Sequence, residues 1–352
     1  MCSLMVHHYR GDGVRASGYT GNMDPISQAA IGAAAAQSGA PSTPLRTGLW
    51  MGAIGGAMPD IDVLIRSPAD PLLFLEYHRH FTHALAFIPF GGLAAAAVGS
   101  LLTRGRHRIR DLWLPATLGW ATHGLLDSCT SYGTFLLWPF SGERIAWHSV
   151  AIIDPLLTLP LVAGVLLAWR RGNRILARLA LGWALAYLCF GVVQRDRAAS
   201  AQQRLIEERG HTALRSEVKP SIGNNFLFRA FYEHDGRYWA DAIRVPWFGP
   251  TKIYEGESIP VLTVAELIAD LPAIHARDVQ RFAFFSNNFL VNDPRHPGFV
   301  SDFRYAALPN RVAPLWGIDL GGAEADRHLQ FERFNRVSAP DRAEFMRQLK
   351  GE

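Results

Sequence analysis

The sequence predicts a polytopic α-helical membrane bundle of four to five transmembrane helices, followed by an extramembrane α+β, strand-rich domain. Three observations predict it. The 352 residues divide into an apolar first half and a polar, aromatic second half. Long runs between residues 82 and 193 are almost free of charge. Short arginine clusters flank those runs, the pattern of membrane-bordering charge rather than of a nucleic-acid stripe.

In chain order, residues 1–22 are polar and lack the apolar core of a signal peptide, so they read as a disordered tail or a mis-called start with Met23 as the initiator. Residues 23–194 form the membrane-embedded unit. Ile26–Gly39 is an Ala-rich helix, amphipathic or packed inside the bundle. Leu45–Met58 is apolar and glycine-rich, is ended by Pro59, and is short for a full span. Thr82–Leu102, Leu112–Trp138, Ser149–Trp169 and Ile175–Val193 each exceed the roughly 18 residues that mark a transmembrane helix. The basic loops 104–110 and 170–174 face the cytoplasm on this reading, which puts residues 60–80 and 139–148 on the other side. The segment after Val193 then lies on that outer side, against which Arg195, Arg197 and Arg204 argue.

Residues 195–352 form the extramembrane unit. Gln194–Arg215 reads as a polar helix. Asn225–Tyr232 and Gly236–Val245 read as strands joined by a turn over Glu233–Gly236, and Arg281–Ser286 and Phe303–Leu308 continue that style. Three scattered cysteines provide neither a disulfide framework nor a Cys-x-x-Cys metal motif. The basic residues make no continuous face, so no nucleic-acid partner is expected.

The chemistry concentrates in six residues at the ends of apolar segments: Asp60, Asp62, His78, His83, His123 and Asp127. Unpaired charge is costly where water is scarce, and a divalent cation would offset that cost. Asp60 and Asp62 alternate and point the same way in a turn or extended segment, so two carboxylates converge. His78 and His83 stand about 140° apart on a continuous helix, so a loop-to-helix junction is needed to join them, and His80 is the alternative partner. His123 and Asp127, at i and i+4, share one helix face. Asp127 either binds the metal or holds the imidazole from behind. Asp154 could complete the set, Arg79 could hold a phosphate or orient a carboxylate, and Glu143 could act as a base or lie in solvent.

Together these residues resemble the YdjM-like family of bacterial inner-membrane metal-dependent hydrolases. The resemblance is carried by Met23–Pro25, Pro59–Asp62, His78–His83, His123 to Asp127, Gly133–Thr134, Pro139–Ser141 and Asp154–Pro155, over roughly residues 23–195. It implies a multi-pass protein of the bacterial cytoplasmic membrane with a distant likeness to zinc-dependent phospholipase C and nuclease folds. It also implies ligand roles for Asp60, Asp62, His78, His83, His123 and Asp127. One departure is that the family's Thr-His near the start is Ser27-Gln28 here, which removes a ligand. The expected chemistry is hydrolysis of a lipid or phosphodiester by a metal-activated water. Zinc is the expected ion, or manganese or another first-row ion. Asp62 or Glu143 would be the base, and Arg79 or Arg144 the phosphate contact. The rival expectation is a non-catalytic membrane protein that transports or senses a metal or protons, or anchors the C-terminal domain.

Overall fold

The computed structural model describes residues 24–334 and 337–352; the expectation for residues 1–22 lies outside them. The chain is helical up to residue 208 and strand-rich beyond it.

Helix α1 (Pro25–Gly39) starts with Asp24 accepting from the Ile26 amide, and Pro25 occupies the first turn. Its alanines let neighbours approach from all sides, and it packs against α2 (Leu45–Ala57), α5 (Ile109–Cys129), α6 (Pro155–Arg171) and α7 (Arg174–Glu208). The Ala-rich segment is therefore the central helix of the bundle, not an amphipathic surface one. At its crossing with α2 a Cβ on Gly56 would stand 2.3 Å from the Gln28 carbonyl oxygen, so only glycine permits that contact.

After α2 the chain tightens into a 3₁₀ turn at Met58–Leu64, because Pro59 cannot continue an α-helix. A short α3 (Leu73–Tyr77) and 3₁₀ turns at Phe81–His83 and Leu85–Phe87 lead into α4 (Ile88–Leu102). The charge-free run from Thr82 is thus broken at its start. The run Leu112–Trp138 also ends early: α5 stops at Cys129, and residues 130–154 are an irregular loop with a Thr134–Ile145 bridge. Asp154 caps α6 by accepting from the Leu156 amide.

Among the described residues two stretches, Leu85–Leu102 and Arg174–Glu208, are long and apolar enough to cross a membrane. This is fewer than the four to five that composition suggests. Helix α5 interrupts its apolar run with Arg110, Asp111, His123 and Asp127, and α6 has only 17 residues. The outward faces of α4, α6 and α7 nonetheless expose Phe90, Leu101, Leu102, Leu159, Ile175 and Leu179.

The expected separate polar helix Gln194–Arg215 does not exist as such. Residues 174–208 form one 35-residue helix. Its first half packs Ala180, Ala184 and Tyr187 into the bundle core, and its second half packs Ala198 and Ala201 against Val218, Phe228 and Ile243 of a sheet. That sheet is antiparallel, in the order β1 (Arg215–Pro220), β2 (Leu227–His234), β3 (Arg237–Arg244), β4 (Lys252–Pro260). The β2–β3 hairpin turns at Asp235–Gly236, both at positive φ, as the hairpin signal predicts.

Two helices, α8 (Val264–Ile268) and α9 (Ala273–Phe285), precede a second antiparallel sheet, β5 (Leu290–Asn292), β6 (Phe299–Asp302), β7 (Trp316–Asp319) and β8 (Gln330–Arg333). Helix α10 (Ala339–Lys350) ends the chain. Arg281–Ser286, expected as a strand, forms the end of α9, because His275, Asp278, Val279 and Phe282 bury at helical spacing. Phe303–Leu308 is likewise irregular and follows β6.

The strand-rich half rests on the loops of the helical half. Arg281 of α9 pairs with both carboxylate oxygens of Asp70 at 2.9 Å and with Glu76 at 2.5 Å. Leu72 and Leu75 enter the core beneath the second sheet. Tyr305 stacks on Tyr132 at 4.6 Å and donates to the Ser131 carbonyl. Arg195 and Arg197, which argued against placing this segment on the outer side, are occupied here by the Trp147 and Pro246 carbonyls.

Candidate metal centre

The 3₁₀ turn after α2 carries Asp60 and Asp62, the turn after α3 carries His78 and His83, and α5 carries His123 and Asp127. The junction between His78 and His83 runs through Arg79 at φ 66°, which reverses the chain where a continuous helix would have splayed the two imidazoles. Helix α5 comes close enough because Gly124 has no side chain; a Cβ there would lie 2.1 Å from the His83 carbonyl oxygen.

Ligand atoms of Asp60, His83, His123 and Asp127 converge, all within 4.8 Å of one another. His83 Nε2 lies 3.5 Å from Asp60 Oδ1 and 3.3 Å from Asp127 Oδ2, and His123 Nε2 lies 3.4 Å from Asp60 Oδ1. Asp60 Oδ1 and Asp127 Oδ2 are buried and accept no hydrogen bond.

The outer hydrogen bonds fix the tautomers. His123 Nδ1 lies 2.6 Å from the Gly56 carbonyl oxygen, which can only accept, so Nδ1 bears the proton and Nε2 presents a lone pair. Thr82 donates to Asp62 Oδ2 at 2.7 Å, so its oxygen accepts from His83 Nδ1 at 2.9 Å. His83 Nε2 therefore also presents a lone pair. The two Nε2 atoms stand 2.9 Å apart, facing two carboxylate oxygens. Two imidazole and two carboxylate donors around one point suit a divalent cation. Without one, a proton takes its place: burial opposes charge on His83, but Asp127, Asp60 and Asp62 outweigh it and hold its pKa well above the ordinary histidine value.

Asp62 and His78 form a second group that shares Asp60. Asp62 Oδ1 meets His78 Nδ1 at 2.8 Å, and its Oδ2 accepts from the Arg79 amide at 3.0 Å. Burial raises the Asp62 pKa, yet His78 and His83 outweigh it and hold the carboxyl below its usual range. Burial pushes the His78 pKa down, and its Nε2 is enclosed and makes no hydrogen bond.

Arg79 is buried, with Nε 3.2 Å from Asp127 Oδ2 and Nη1 donating to Thr130. His80 stands apart from both groups, against Phe135 and Trp138. The Glu143 carboxylate is exposed and belongs to neither group. Asp154 also lies outside them, accepting from Tyr187. Gln28, where a ligand is missing, is fully buried and donates to Asp127 Oδ1 at 2.8 Å. Thr82 and the Gly56 carbonyl are contributors that sequence reasoning does not find; the pairing of Thr82 with His83 was the only available signal. A groove of about 430 Å³, lined by Pro25, Ile54, Ala57, Met58 and Ile61, opens onto Asp60.

A helical bundle with lipid-compatible outer faces and a buried His/Asp cluster able to hold a metal ion defines the class as a membrane protein with a candidate metal site. The chain belongs to the YdjM inner membrane protein family, whose model matches residues 23–198. It is 32% identical over 108 residues to the inner membrane protein YbcI of Escherichia coli (strain K12), covering 30% of this chain and 61% of that one. It is 25% identical over 119 residues to the uncharacterized protein YfhP of Bacillus subtilis (strain 168), covering 34% of this chain and 36% of that one. The chain thus matches about a third of one relative's length and about three-fifths of the other's. No solved structure matches it.

Proposed function

We propose that the protein is a multi-pass enzyme of the bacterial cytoplasmic membrane that hydrolyses a lipid or lipid-linked phosphodiester with the help of a divalent cation, zinc or another first-row ion. The observation that carries this reading is the convergence of Asp60, His83, His123 and Asp127 with two carboxylate oxygens that accept no hydrogen bond. These four residues would hold the ion, which supplies Lewis-acid activation of water and of the ester. Gln28 and Arg79 fix Asp127, and Thr82 and the Gly56 carbonyl fix the two imidazoles.

Proton handling falls to His78. Asp62 lies behind its Nδ1 and orients the ring, and its enclosed Nε2 has no competing partner. Asp62 thus acts through His78, and exposed Glu143 has no part at the centre. The apolar groove that reaches Asp60 supports a substrate arriving from the bilayer. Spans additional to α4 and α7 belong to the same proposal, with α5 and α6 held across the membrane by their neighbours.

A second reading has two ions, for which Asp60, Asp62 and His78 would hold the second, favoured by the adjacency of that group to the first. Elemental analysis of the detergent-purified full chain decides. One ion per chain that is lost in His83→Ala and kept in His78→Ala supports the single centre. Two ions per chain, with one lost in His78→Ala, supports the pair. No metal in folded wild-type protein after reconstitution would overturn both.

A further inference from the structure

The seam between the helical and strand-rich halves concentrates buried positive charge beside the metal centre. Arg79, Lys219 and Arg304 are 1%, 3% and 7% exposed, and Arg144 beside them is half-buried. The cations are linked through aromatic rings. Arg144 and Arg304 both lie over Phe285, at 5.4 and 5.9 Å. Arg304 and Lys219 both lie over Tyr305, at 5.3 and 4.7 Å. Tyr305 stacks on Tyr132, over which Arg79 sits at 5.3 Å.

Carboxylates do not balance them. Arg79 faces Asp127, Lys219 faces Glu217 at 3.0 Å, and Arg304 faces Asp302 at 2.8 Å. Arg144 has no carboxylate within ion-pair distance among the described residues, and its Nε makes no hydrogen bond. Among the described residues these four cations thus face three carboxylates in ion pairs, and one of those, Asp127, is shared with the candidate metal ligands. The Ser131 hydroxyl also makes no hydrogen bond. Burial and the neighbouring Arg304 and Arg79 push the Arg144 pKa down to about 10, and Tyr305 and Asp302 only partly oppose them.

We infer that this seam binds a phosphoryl oxyanion, with Arg144 as its principal partner and Lys219 and Ser131 beside it. A guanidinium presents a planar fork that matches two phosphoryl oxygens, and a half-buried one with no carboxylate partner gains from an anion. The proposal deepens the phosphodiester reading by giving the strand-rich half a role: Lys219, on β1, completes a site begun by the loop that carries Arg144. It rests on that reading for the location of chemistry but not for binding itself.

The test is calorimetric titration of the full-length protein in neutral detergent, metal-loaded and chelator-stripped. The probes are inorganic phosphate, dihexanoyl phosphatidic acid and dihexanoyl glycerol. We expect phosphate and phosphatidic acid to bind and the uncharged glycerol lipid not to bind. Affinity should fall at least tenfold in Arg144→Gln and several-fold in Lys219→Gln, at unchanged metal content. Arg144→Lys, which keeps the charge but loses the fork, should fall between wild type and Arg144→Gln and serves if Arg144→Gln does not fold. Tighter binding of phosphatidic acid than of phosphate identifies a lipid headgroup as the source, and equal binding identifies the free anion. Absence of phosphate and phosphatidic acid binding in wild type, or unchanged affinity in folded Arg144 variants, overturns the proposal. Arg144-dependent binding by a protein that holds no metal would uphold the anion site while removing the hydrolase reading.

Discussion

Substituting Gln28 by Leu tests whether this residue, in place of a ligand, is an organiser of the centre. Gln28 and Asp127 are both fully buried, and the Gln28 amide donates to Asp127 Oδ1 at 2.8 Å. Leucine is slightly larger than glutamine, so no cavity is left and the lost hydrogen bond dominates. Removing a donor behind a metal ligand costs about 10–100-fold in metal affinity, or roughly 1.4–2.8 kcal/mol. The stripped protein should lose a further amount of about 1–3 kcal/mol, because a buried carboxylate oxygen is left without its neutral donor. The assay is chelator competition for zinc on the detergent-purified chain, with melting curves of stripped and loaded protein. A dissociation constant within twofold of wild type, in a protein that folds, would refute the reasoning: Gln28 would then be a packing residue with no influence on the centre.

Other perturbations follow from the same geometry. Gly124→Ala places a methyl group where 2.1 Å separates it from the His83 carbonyl, so α5 must retreat; zinc occupancy by elemental analysis should drop well below that of wild type, and full occupancy would show the helix can yield. Burial, reinforced by Lys219, pushes the His148 pKa down to about 3. The unfolded chain takes up that proton below about pH 6.5 while the folded one does not, so stability is lost as pH falls from 6.5 towards 3, by about 2–4 kcal/mol allowing for partial solvation. His148→Phe should flatten the melting temperature between pH 6.5 and 4.5, and an unchanged slope would assign the acid sensitivity elsewhere. Arg281→Ala removes the clamp on Asp70 and Glu76, so limited proteolysis should cut the 65–80 segment several times faster, and an unchanged rate would count against the clamp.

Much of the cluster was legible because its chemistry is expensive. Ionisable groups in apolar surroundings announce themselves, and the i, i+4 spacing of His123 and Asp127 carried over directly into a shared helix face. The five-residue spacing of His78 and His83 was not readable, because it depends on Arg79 taking a left-handed backbone conformation, which no periodicity predicts. Nor could the sequence reveal that Gln28 reaches Asp127 across 99 positions, or that a backbone carbonyl at Gly56 selects the His123 tautomer. In the C-terminal half the hairpin at Asp235–Gly236 declared itself through turn chemistry, whereas the aromatic run at Arg281–Ser286 mimicked a strand. A strand would put Phe282 and Phe284 on one face, yet Phe282 is buried and Phe284 is 61% exposed, and burial of Asp278, Val279 and Phe282 follows the helical period instead.

Helix α7 has a consequence for motion. Its 35 residues reach about 52 Å at 1.5 Å per residue, and a bilayer's hydrocarbon core is about 30 Å thick, so on the proposed membrane reading roughly 20 Å would stand clear as a mast built into the base of the first sheet. A mast without a joint fixes azimuth as well as height. Deleting one residue from its middle would swing everything above it by about 100° and lower it by about 1.5 Å. Tyr305 would then face away from Tyr132. The two halves are phased like the teeth of a key, and evolution of this helix can proceed by substitution far more readily than by insertion.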